Sequence, residues 1–258
     1  MLHAVSLAAA IALVLIGPVT ASAQTSVQIT VLCLRAVQPV VADLAAGFHK
    51  HTGTEVKLTL ATGADYRVRA VADEPGEVII STITNIDELA RARVVIPGST
   101  ADLGTVGVGV AVRAGARAPN TASRESLTLA ILSASSIGYA DSTQGSQGGM
   151  HYANILARLG IGSSVETKTQ RFPLSITALH KVAAGEIEMA FSPVNEILSV
   201  PGVTLAGPFP EALQARITYT AGILRNGQSE TTARAFIEYL TTPQARARFR
   251  AGGFDPAN

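Results

Sequence analysis

Short β-branched runs alternate with segments of helical apolar spacing from Val27 onward, and that alternation restricts the fold more than any other feature. Val27 to Cys33 reads as a strand. Val40, Val41, Leu44 and Phe48 then set an apolar stripe on a helix over 37–51, which Gly53 ends. A strand at 56–60, a short helix at 65–73, a strand at 77–81 (EVIIS) and a helix at 83–92 continue the series. Parallel strands need long crossovers, and helices supply them, so this order predicts an α/β fold with helices on both faces of a largely parallel sheet.

Thr105 to Arg113 (TVGVGVAVR) breaks the rhythm as one long Val/Gly strand, followed by a turn-rich link at 115–121. Ser123 caps a helix running to Ser133, with Ser126 at its third position. A second series follows: a strand at 137–140, a glycine-rich loop at 141–149, helices at 151–159 and 175–184, a strand at 187–191 and a helix at 194–199. An extended stretch at 215–224 and helices at 231–240 and 243–251 close the chain. Two series joined by one strand, with a late return, predict two lobes: 24–106 with 215–258, and 107–214. The hinge is expected near 105–110 and 207–218. Ligands of open α/β sheets bind beyond the carboxyl ends of the strands, so two such lobes face each other across one cleft.

Composition narrows the function. The 258 residues are 47% hydrophobic, enough for such cores. A net charge of +1 leaves no basic surplus for nucleic acid. The single cysteine, Cys33, excludes an intrachain disulfide and reads as a small buried hydrophobe. No Cys/His metal spacing, phosphate loop, GxSxG elbow or HExxH occurs, so no metal or other cofactor is expected. Of the 20 basic side chains, 16 are arginine, suited to bidentate grips on carboxylates and oxyanions. Residues 1–23 carry no Lys, Arg, Asp or Glu and end in Gly17-Pro18 and Ala21-Ser22-Ala23. That pattern predicts a secretory signal peptide cut before Gln24 and an exported, periplasmic protein; an N-terminal membrane anchor is the alternative.

Several ordered segments resemble the type II periplasmic solute-binding proteins, and the molybdate-binding family in particular. They are ITVLC (29–33), ADLAAGFHKHTG (42–53), EVIIS (77–81), LGTVGVGVAVRAGARAP (103–119), RLGI (158–161), AGEIEMAFS (184–192) and the tail over 232–256. The resemblance implies a two-lobed α/β protein, each lobe a mixed, mostly parallel sheet flanked by helices. It also implies the extracytoplasmic receptor of an ABC importer, a monomer that closes on a small anion and meets a membrane permease. The ligand is an organic carboxylate or an oxyanion such as molybdate. The fold is similar, too, to that of the aconitate isomerases, enzymes that shift a proton along a tricarboxylate.

Mapped onto this chain, the family's binding positions fall at Arg35 and Ala36 after the first strand, Thr62 and Gly63 after the second, and Ser192 before the return crossover. Only Thr62 keeps a hydroxyl at the second-strand turn, and Ser192 stands where the molybdate binders carry tyrosine. In the glycine-rich loop Ser146, Gly148 and Gly149 offer backbone N–H groups to an anion; a plain flexible loop is the alternative. Arg35, Arg67, Arg69 and Arg171 are candidate forks for a carboxylate, although a solvated helix face would equally explain Arg67 and Arg69. If the cleft catalyses a reaction, His151 or Asp141 is the candidate base; a structural histidine is the competing explanation.

Overall fold

The computed structural model describes residues 27–61, 75–144 and 147–255. In chain order the first elements are β1 (Gln28–Leu34), α1 (Gln38–Thr52), β2 (Glu55–Ala61), β3 (Val78–Thr82) and α2 (Ile83–Arg91). Strand β4 (Ala101–Arg113) leads to α3 (Arg124–Ser133), β5 (Ile137–Ala140), α4 (Gln147–Arg158), α5 (Gly162–Val165) and β6 (Thr169–Phe172). Then come α6 (Ser175–Ala184), β7 (Met189–Pro193), α7 (Val194–Ser199), β8 (Val203–Pro208), β9 (Arg216–Ile223), α8 (Glu230–Leu240) and α9 (Pro243–Ala251).

The strands run in the order β2-β1-β3-β9-β4-β7-β5-β6, with β8 also on β4. Parallel pairing joins β1 to β2 and β3 on one side, and β5 to β6 and β7 on the other. Strand β4 belongs to both halves. Its residues up to Gly107 pair antiparallel with β9, and from Val108 onward it pairs with β7 and β8. The change of partner between Gly107 and Val108 is where the sheet divides.

Each half buries its own core. Helix α1 presents Val41, Leu44, Ala45 and Phe48 to the first half, where they meet Val31, Phe236 and Phe249. Gly53 stops this helix with φ 74°, a left-handed conformation that glycine adopts without Cβ strain, and its N–H caps the His49 carbonyl. Leu32, Ile79, Ile86 and Leu89 pack the opposite face of that half. In the second half Tyr139, Tyr152, Phe191 and Phe209 pack mostly at tilted and edge-to-face angles with centroids 5.3–6.2 Å apart. Ala111, Leu179, Val182 and Ile197 fill its other side.

The architecture is the mixed α/β arrangement expected, with three local corrections. Strand β4 starts at Ala101 rather than 105, because Ala101 and Asp102 already pair with β9. Helix α4 begins at Gln147 rather than 151, so Gly148 and Gly149 lie in its first turn and not in a loop. Strands β6 and β8 carry no hydrophobic run to announce them: TQRF is an exposed edge, and VTLAGP is half-buried and bonded to β4 alone. The helix expected at 65–73 and the segment 1–23 lie outside the described residues. Among those described, no helix is long and apolar enough to cross a membrane.

Candidate ligand cleft

Strands β5, β6 and β7 run parallel, so Asp141, Phe172 and Pro193 stand at the same carboxyl end of the second half, and Arg35 follows the carboxyl end of β1 in the first. Two polar links fasten the line where the two halves meet. Asn195 Nδ2 donates to the Ala36 carbonyl at 2.5 Å, joining α7 of the second half to the turn after β1. Gln214 grips the point where β4 changes partners: its Oε1 accepts from Val108 N–H at 2.7 Å. Its Nε2 donates to the carbonyls of Val108 and Phe209 at 3.2 and 3.1 Å. Arg216 adds an exposed bridge from Glu211 (2.9 Å) to Asp255 (3.2 Å).

The candidate site residues fall into distinct settings. Arg35 is exposed in the turn before α1 and has no ion-pair partner among the described residues, while Ala36 is half-buried beside Asn195. Thr62, Gly63, Arg67, Arg69 and Ser146 lie outside the described residues. Gly149 is buried where α4 runs against the end of β5. A Cβ there would collide with the Ala140 carbonyl and the Ser142 amide, so glycine is what lets the helix approach. Gly148 precedes it in the same turn, half-exposed.

Arg171 already holds a carboxylate. Its two Nη atoms donate to the Glu166 oxygens at 2.8 and 2.7 Å, and its guanidinium lies 5.8 Å from the Tyr139 ring centre. This exposed pair keeps Glu166 below the usual carboxylate range, mainly through the hydrogen bonds from Arg171. A ligand taken by Arg171 would have to displace Glu166. Asp141 stands nearby and is likewise held low, chiefly by hydrogen bonds from the Thr143 N–H and hydroxyl, both at 2.9 Å. His151 is half-buried, and burial lowers its proton affinity. Its Nε2 lies 3.2 Å from the Leu213 carbonyl, which can only accept, so the proton is on Nε2 and Nδ1 is the free lone pair. The structure thus brings Asp141 and Arg171 together on neighbouring strand ends, and ties His151 to the returning crossover.

Ser192 is fully buried, and its hydroxyl points to a residue absent from the sequence-based candidates. Glu196 Oε2 accepts from Ser192 Oγ at 3.0 Å and from Ser175 Oγ. Glu196 is deep enough for desolvation to raise its proton affinity, against the opposing pull of both serines, yet part of it stays open to solvent. Burial pushes the hydroxyls of Tyr152 and Tyr219 up, and proximity to the Glu196 carboxylate adds to it. Tyr152 and Asn195 sit beside this group at 0% and 5% exposure. Among the described residues, the Tyr152 hydroxyl and Asn195 Oδ1 are buried atoms without a hydrogen-bond partner.

A family model described as bacterial extracellular solute-binding protein matches residues 29–255. The chain belongs to that family. This solute-binding protein is 26% identical over 251 residues to the aconitate isomerase of a Pseudomonas species, covering 95% of this chain and 94% of that one. It is 23% identical over 229 residues to the molybdate-binding protein of Escherichia coli K12, covering 88% of each. Among solved structures, the periplasmic molybdate-binding protein of Azotobacter vinelandii matches with a TM-score of 0.73 at 18% identity. That match covers 89% of this chain and 100% of the other. The fold is therefore the two-lobed type II form shared with the molybdate binders.

Sequence reasoning about the solute-binding protein did not find Glu196, Tyr152 or Asn195. Tyr152 adjoins His151 and reads as a core aromatic, which it also is. Glu196 follows a strand end by three residues, and the signal available was a lone carboxylate in an otherwise apolar stretch (AFSPVNEIL).

Proposed function

We propose that this protein is the extracytoplasmic receptor of an ABC importer, that its lobes are 24–106 with 215–258 and 107–214, and that they close on a small organic carboxylate. The observation that carries the reading is the change of partner along β4. The sheet halves are joined at Gly107–Val108 and at the Gln214 return, and the Asn195 side chain of the second half reaches the Ala36 carbonyl of the first. Arg35 and the first turn of α4 supply the positive side of the cleft. Residues 1–23 act as the export signal, and a membrane permease is the macromolecular partner.

A carboxylate is favoured over molybdate because the hydroxyl-rich ligand positions of the molybdate binders are changed here: Ala36 stands after β1, and the Ser192 hydroxyl is spent on Glu196. A thermal-shift screen tests this. Citrate, aconitate or succinate should raise the melting temperature in a concentration-dependent way, and molybdate and sulfate should not. A shift with molybdate alone would reverse the assignment.

The aconitate isomerase relative, matched over 95% of this chain, supports a second reading in which the same cleft moves a proton along a tricarboxylate. His151, neutral with Nδ1 as its free lone pair, then serves as the base, with Asp141 nearby as an ionised carboxylate. Conversion of cis- to trans-aconitate with uptake of solvent deuterium, lost in His151→Ala, is the expected result. Unchanged substrate after long incubation with the wild-type protein would remove this reading.

A further inference from the structure

Three polar groups where the two halves meet lack the partners their burial calls for. Among the described residues, the hydroxyl of fully buried Tyr152 has none, and Asn195 uses its amide nitrogen but not its Oδ1. Glu196 places both serine hydrogen bonds on Oε2, so that among the described residues Oε1 receives none. A buried polar atom left unpaired costs about 1–3 kcal/mol, which a ligand can return by supplying the missing bond.

The surroundings decide the protonation state of such an acid. Ser175 comes from α6, Ser192 from β7, Tyr152 from α4 and Tyr219 from β9, with Cys33 behind Tyr219. Strand β8 carries no titratable side chain. Of the charged groups on α6 and β4, His180 and Arg113 are exposed, Lys181 pairs with Glu186 and Asp102 accepts from Thr220. Arg35, on the turn that Asn195 reaches, is exposed; no cation among the described residues counters the desolvation of Glu196, and burial favours its neutral form. A neutral carboxyl with its proton on Oε1 still accepts both serine hydroxyls on Oε2, so the local hydrogen bonds survive protonation intact.

We propose that Glu196, protonated on Oε1, donates a hydrogen bond to a carboxylate of the bound ligand, with the Tyr152 hydroxyl as a second donor, so that ligand capture takes up a proton. This rests on the carboxylate reading above. An ionised Glu196 would repel the same ligand, and a neutral one serves as a recognition group. The cleft thereby reads both the charge of its ligand and the acidity outside the cell.

Calorimetric titration of trans-aconitate, whose own carboxyls are ionised above about pH 6, tests the proposal in buffers of different ionisation heat. The wild-type protein should bind with uptake of up to about one proton. Its affinity should fall by as much as about tenfold per pH unit once Glu196 ionises. Glu196→Gln keeps a donor but no titrating group and should bind with flat pH dependence and no proton uptake; Tyr152→Phe should bind several-fold more weakly with the slope preserved. If Glu196→Gln does not fold, the wild-type proton count decides alone. Binding that is pH-independent in the wild type, or that keeps its pH slope in Glu196→Gln, would overturn the role of Glu196 and leave the carboxylate assignment standing. Absence of binding by trans-aconitate, citrate and succinate at every pH would remove both.

Discussion

Glu196 makes the stability of the free protein depend on pH. Its folded-state proton affinity is raised, so its stabilising contribution is complete below the unfolded value and is lost as pH rises through the folded one. Thermal melts without ligand should therefore show wild type losing stability relative to Glu196→Gln as pH rises above the ordinary carboxyl range of about 4.3; parallel curves would mean that folding leaves the Glu196 titration unshifted. Tyr152→Phe removes the unpartnered hydroxyl and should be neutral or stabilising by roughly 1 kcal/mol in the absence of ligand, read from urea midpoints. Cys33 is fully buried on β1, and burial pushes its thiol up to about 12. It should resist a thiol-specific disulfide reagent in the native protein and react fully in guanidinium. That burial was legible in the sequence, since Cys33 falls on a β-branched strand. The partners of Ser192 and Arg171 were not, because a hydroxyl or guanidinium shows its acceptor only once distant strands are paired.

At the scale of elements, Gln214 does what a strand pair would otherwise do. Strand β9 pairs with β4 only as far as Gly107, and the Gln214 carboxamide takes over both Val108 backbone groups. Gln214→Ala should cost about 1–3 kcal/mol in urea unfolding by stranding the Val108 amide. It should also loosen the junction between the sheet halves, seen as faster amide exchange at Val108 and Phe209. No change in either would show that water replaces the carboxamide without loss. Most elements were readable from apolar periodicity: α1 with its Gly53 stop, β3, β5 and α6 fall within two residues of expectation. The early start of α4 was hidden by glycines, which signal a loop by composition. Here Gly149 instead lets a helix press on the end of β5. Strands β6 and β8 were hidden because an edge or half-buried strand needs no hydrophobic run.

At the scale of the whole molecule, two α/β halves with separate cores share one strand, and the polar groups left unpaired gather where the halves meet. The opening alternation of strand and helix predicted that architecture, and the resemblance to the molybdate binders predicted the family. Neither could name the ligand, because ligand choice rests on side chains whose neighbours are fixed only once distant strands pair, as the Asn195–Ala36 contact shows. The central claim is that the cleft holds a small organic carboxylate. Native mass spectrometry of the protein purified from exporting cells tests it most directly. The account predicts a single adduct of organic-acid mass that excess trans-aconitate displaces one for one. An adduct of molybdate mass, or a protein that retains no carboxylate even when one is supplied in excess, would contradict it.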